Sequence, residues 1–190
     1  MTYARVSSSC AYLAALAGIG YSIVFVATRD NDSRGGEGLE GALLLAGGVL
    51  AVAVVAGLYE LVRERDAGFA LLALLFGAGG GFGAAIHGAY QLARAVDGTP
   101  EASDVANAVD PRGFLTFGVT AAAVALFAWL LGGRLRAIGF VFAVLLAVLW
   151  IGRLVGGDAH DVALVVPAAL AGFVASPLWY VSVGRELSRT

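Results

Sequence analysis

The sequence predicts an all-α fold, a polytopic membrane protein built as a bundle of six transmembrane helices with a short amphipathic surface helix between helices three and four. Two observations carry this. Hydrophobic residues make up 59% of the 190 and mean hydropathy is +0.85, far too apolar for a soluble domain. Apolar stretches also recur at residues 11–27, 39–62, 68–93, 113–131, 137–155 and 162–183. Each reaches the ~17 residues that a helix needs to cross hydrocarbon. The expected organisation is one integral membrane domain over residues 1–190.

The first stretch reads as a membrane helix rather than a signal peptide. Its flank holds a single Arg5, and Phe25-Val26-Ala27 makes a poor small-x-small cleavage site. Cys10 is the only cysteine, so no intrachain disulfide can form. The connection over residues 28–38 is polar and glycine-rich, a solvated loop; Asp30, Asp32 and Glu37 do not complete the spacing of a calcium-binding loop. Glu60, near the end of helix two, stands three residues before Arg63 and is expected to pair with it across one helical turn.

Helix three carries the most informative pattern. After the run Gly77-Ala78-Gly79-Gly80-Gly81-Phe82-Gly83 come His87, Tyr90, Gln91 and Arg94. At 100° per residue these four side chains share an arc with Gly80 and Gly83. A smooth face topped by hydrogen-bonding groups should meet another helix or enclosed water, not acyl chains. Gly77, Gly79, Gly80, Gly81 and Gly83 therefore read as helix-packing positions.

Beyond helix three, Thr99 and Pro100 suit a helix start, and Ala102, Val105, Ala106 and Val109 recur at helical spacing, which makes the surface helix. Asp110-Pro111-Arg112-Gly113 repeats that logic for helix four, with Asp110 as N-cap and Pro111 as first helical residue. Gly132-Gly133-Arg134 turns helix four back into helix five, so these two should be antiparallel neighbours. Pro167 and Pro177 should bend helix six, and Trp129, Trp179 and Tyr180 suit an aromatic belt at the interface.

Six crossings put both termini on one side with Arg5, Arg63, Arg65, Arg134, Arg136, Arg185 and Arg189, against Arg29, Arg34, Arg94, Arg112 and Arg153 on the other. The excess favours cytoplasmic termini in a bacterial plasma (inner) membrane. The outer side then holds most of the acids and the longer loops. Arg94, Arg112, Arg153 and His160 all reach that level, and together with His87, Tyr90 and Gln91 they form the candidate ligand-binding set. Arg94 and Arg153 stand near helix ends, where a long side chain can also extend to headgroups.

Several chemistries find no support. The chain has no lysine, which excludes a retinal or pyridoxal Schiff base. No phosphate loop, zinc-protease motif or nucleophile elbow occurs, there is no basic cluster suited to nucleic acid, and two histidines without a cysteine set are a poor start for a metal or haem site. No catalytic or metal residues are assigned, and no inverted repeat relates the two halves.

The strings His87-Gly-Ala-Tyr-Gln-Leu-Ala93, Asp110-Pro-Arg-Gly-Phe-Leu-Thr-Phe117 and Pro177-Leu-Trp-Tyr-Val-Ser-Val-Gly184 resemble those of a group of uncharacterised bacterial multi-pass membrane proteins. The resemblance implies a six-helix membrane fold and no activity. The expected function is that of a binding or accessory protein, holding a lipid, quinone or other small apolar molecule in an outward-facing pocket, or packing on a partner membrane protein. A small transporter or channel is the alternative, and an intramembrane enzyme using His87 the third.

Overall fold

The computed structural model describes residues 2–28, 34–97, 108–156 and 162–190. These residues are all-helical, with six helices long and apolar enough to cross a membrane: α1 (Tyr3–Thr28), α2 (Arg34–Val62), α3 (Ala67–Asp97), α4 (Pro111–Leu131), α5 (Gly133–Leu154) and α6 (Ala163–Leu187). Polar groups extend several helices beyond their apolar cores, so α1 begins at Tyr3 and α3 runs on to Asp97. Most of the expected surface helix, and with it Thr99, Pro100, Ala102, Val105 and Ala106, lies outside the described residues, as do Asp30, Asp32 and His160.

Each helix packs on its neighbours in sequence, and α6 closes back on α1, which makes an antiparallel ring in chain order. Small residues set the spacing. The tightest pair is α2 with α3, where Gly41 lies against Gly88 and Gly48 against Gly81. A Cβ on Gly48 would sit 2.5 Å from the Gly81 carbonyl oxygen, so this approach of two backbones tolerates only glycine. Gly77 fits Val55 on the same face of α3, whereas Gly80 and Gly83 turn to α4, against Leu115, Thr116 and Thr120. Gly79 meets nothing closely and has room for a side chain.

Large side chains divide between the core, where Leu58, Phe127 and Leu187 are buried, and the outer surface. Ala11, Ala14, Ala73, Ala121 and Ala128 are buried, while Leu16, Leu75, Phe82, Val141 and Val144 are more than half exposed. Trp179 departs from the expected interfacial belt. It is 3% exposed, because Gly139 of α5 leaves room for its ring inside the bundle; Trp129 remains outside at 60%.

Call the end that carries the two termini the near end. There Ser7 donates to the Ala53 carbonyl at 3.0 Å and Ser8 to the Gly184 carbonyl at 2.8 Å, which ties α1 to α2 and α6 at once. Asp66 caps α3 through the Phe69 N–H, and Arg65 reaches across to the terminal carbonyls of α4, Leu130 and Leu131. Arg136 donates to the Trp129 carbonyl and lies 5.0 Å from the centre of its ring. Gly132 and Gly133 both take positive φ in the turn that connects α4 and α5. Glu60 and Arg63 form the expected pair at 3.1 Å.

Two helices contain a wide, π-helical turn, Phe114–Val119 in α4 and Ala171–Ala175 in α6. The second directly precedes Ser176 and Pro177. Loosening the backbone there makes room for a proline ring that would otherwise press on the preceding turn.

Candidate functional site

At the far end of the bundle Asp110 is fully buried, although it stands at the start of a helix. The expected cap on the Pro111 turn does not form. Arg112 (φ 54°) and Gly113 (φ 72°) take left-handed conformations, so the chain restarts its helix at Phe114. The Asp110 carboxylate therefore reaches further along, accepting from the Leu115 N–H at 2.6 Å, the Thr116 N–H at 3.1 Å and the Thr116 hydroxyl at 2.7 Å. It caps the second start rather than the first.

The polar stripe of α3 meets this cap. His87 Nε2 lies 3.2 Å from Asp110 Oδ2, within reach of an ion pair but not aligned as a hydrogen bond. The contact follows from the shared arc: Gly80 and Gly83 bring α3 close to α4, and His87 one turn further on arrives at the head of that helix. Gln91 sits over Gly41 of α2, and its Oε1 atom is buried without a hydrogen-bond partner among the described residues. Arg94 pairs with Glu37 at 2.8 Å instead of extending freely. Tyr90 is half-buried beside them, and among the described residues no hydrogen bond joins it to His87 or Asp110.

Arg112 has a different task. Its guanidinium donates to the carbonyls of Arg153 and Leu154 at 2.8 and 2.9 Å, which closes the C-terminus of α5. The stripe of α3 and the end of α5 thus meet through the Asp110–Gly113 segment, not directly.

The larger feature lies inside the ring. A cavity of about 360 Å³ runs along the bundle axis and is lined from all six helices. Its lining on α2 extends from Leu43 to Leu58, a length of ~22 Å at the helical rise per residue. Small residues open it, among them Ala17, Gly47, Ala51, Gly80, Ala84 and Ala123. Leu58, Phe127 and Trp179, all almost fully buried, bound it toward the near end. Both wide turns contribute walls, through Thr116 and Phe117 in α4 and Ala171, Gly172 and Phe173 in α6.

Polar side chains line both halves, Ser176, Trp179 and Tyr180 on α6 and Tyr21, Ser22, Thr116, Thr120 and Arg153 toward the far end. Tyr21 and Arg153 line the cavity there, and among the described residues Arg153 is the sole charged one in its wall. Behind the wall, the Tyr21 hydroxyl hydrogen-bonds the carboxylate of Glu40, which is 8% exposed. Thr116 belongs both to the cavity and to the Asp110 cap. Among the described residues, no three His, Cys, Asp or Glu side chains gather as metal ligands.

On one side the wall is thin. The close contacts of α1 with α6 are made by the Ser176–Leu187 half and the wide turn before it. Toward the far end Phe25, Val26 and Phe173 line the cavity yet are also exposed on the outside of the bundle.

No family model matches the chain, and neither does any curated protein or solved structure. Sequence reasoning did not find Tyr21 and Glu40. The available signal was an acid nearly two turns inside an apolar helix, at a position that burial makes expensive unless paired.

Proposed function

We propose that this chain is a multi-pass membrane protein that holds an apolar small molecule in the cavity at the centre of its helical ring, admitting it sideways between α1 and the far half of α6. The observation that carries the reading is the cavity itself, long, narrow and walled by all six helices. Its volume is more than twice the ~150 Å³ of an apolar cavity that binds benzene. A void of that size lined by apolar groups forfeits contact energy on every wall, and a bound hydrocarbon restores it. Membrane embedding is supported by the many large apolar side chains exposed on the outside of the bundle, Leu16, Leu75, Phe82, Val141 and Val144 among them. The arginine excess at the near end favours a plasma membrane location with cytoplasmic termini, so that the thin wall and the polar cluster belong to the outer half.

In this reading His87 and Asp110 position the wall, because the same carboxylate that faces His87 holds Thr116. Transport is the second reading, favoured by the two wide turns that flank the cavity. It is less well supported than binding because Leu58, Phe127 and Trp179 block the near end.

Native mass spectrometry of the detergent-extracted protein tests the proposal. The wild type should retain a molecule of discrete mass, and Ala168→Phe, which fills the lumen, should lose it while keeping its helical circular dichroism. Equal retention by both would place the molecule elsewhere. Reporter fusions at Thr190 and in the 98–107 connection should lie on opposite sides of the membrane.

A further inference from the structure

We infer that the cavity selects an amphiphile with one hydrocarbon chain and an oxyanion head, and that the Arg153 guanidinium receives that head. This rests on the reading of the cavity as a binding site and adds the chemical class of its ligand. Three observations lead to it. The cavity is long relative to its volume, which suits one extended chain of roughly a dozen carbons when scaled from the benzene-sized cavity. Among the described residues its wall carries a single charge, positive, at the same end as Tyr21, and no carboxylate of those residues lies within ion-pair distance of that guanidinium.

The third observation concerns the other donors at that end. Ser22 gives its proton to the Gly18 carbonyl, Thr116 to Asp110, Thr120 to the Leu115 carbonyl and Tyr21 to Glu40. Their hydrogens are committed to the protein. Arg153 is thus the donor left to meet a ligand head, and its planar fork suits a carboxylate or a phosphate. Glu40 is not in the wall and is held by Tyr21, so it does not compete for the guanidinium at contact distance. The thin wall beside Phe25 and Phe173 lets a chain enter from the acyl region while its head stays at the level of Arg153.

The experiment uses the full chain in phosphatidylcholine nanodiscs with three photoactivatable C12 probes that carry a diazirine near the chain end: the carboxylic acid, its methyl ester and the alkyl phosphate. Crosslinked residues are mapped by mass spectrometry. The acid should label cavity residues of the near half, such as Phe142 or Trp179, about tenfold more than the ester does, equivalent to ~1.4 kcal/mol. Arg153→Gln should abolish that preference, and Arg153→Lys should keep most of it. Neither change disturbs the end of α5, because Arg112 bonds backbone carbonyls there.

Preferential labelling by the phosphate would assign a phospholipid-type head, and by the acid a fatty-acid-type head; either supports the oxyanion class. Equal cavity labelling by acid and ester in the wild type would overturn the head assignment while leaving the cavity reading intact. Labelling of outward residues alone, such as Leu16 or Val144, would overturn both.

Discussion

Asp110→Ala should be the most damaging single truncation at the far end, and the structure gives its size. The carboxylate accepts two backbone N–H groups and one hydroxyl while fully buried. Truncation leaves the Leu115 and Thr116 N–H groups without an acceptor; the Thr116 hydroxyl can rotate to another. At ~1–3 kcal/mol for each stranded donor, the loss is about 2–6 kcal/mol. His87→Ala removes the facing imidazole but leaves Asp110 with all three donors, and the contact it deletes is not an aligned hydrogen bond. Its cost should be about 1 kcal/mol. Asp110→Asn, which keeps one acceptor oxygen, should fall between them. Unfolding by sodium dodecyl sulfate in mixed micelles, followed by circular dichroism, reads all three variants on one scale. If Asp110→Ala lies within about 0.5 kcal/mol of His87→Ala, the carboxylate is not holding the start of α4.

Other outcomes follow from the same geometry. Gly48→Ala should lose about 1–3 kcal/mol in the same titration, because its Cβ would meet the α3 backbone; Gly35→Ala, with open space around it, should be neutral or slightly stabilising. Arg112→Ala should speed amide exchange at Val155 and Gly156, whose N–H groups close the last turn of α5, while leaving α2 unchanged. Thr120→Val should cost about 1 kcal/mol by removing the hydroxyl that serves the Leu115 carbonyl in the wide turn of α4, and Thr120→Ser should restore most of it.

The six helices were legible because each is a long apolar run, and the tight turn at Gly132 and Gly133 was legible because two adjacent glycines permit its positive φ values. The stripe of α3 was also readable as a contact face. Helical periodicity alone puts His87 above Gly80 and Gly83, and the structure brings that arc to α4. Its partner was not readable, because Asp110 looks like a local cap for Pro111. Arg112, a residue that seldom adopts positive φ, shifts the helix start by one short turn and redirects the carboxylate.

The cavity was invisible for a different reason. Ala17, Gly47, Gly80 and Ala123 each read as packing positions, and several of these small residues do pack; whether their sum leaves a void depends on six helices at once. Trp179 shows the same limit, since an aromatic near a helix end reads as interfacial unless a glycine on the neighbouring helix takes it in.

A density map of the protein in lipid nanodiscs tests the central claim most directly. An elongated non-protein feature should run between the six helices, from the level of Trp179 toward Arg153, with its wider end beside the guanidinium. A lumen closed by collapse of α1 onto the far half of α6, or filled by a file of ordered water, would contradict it.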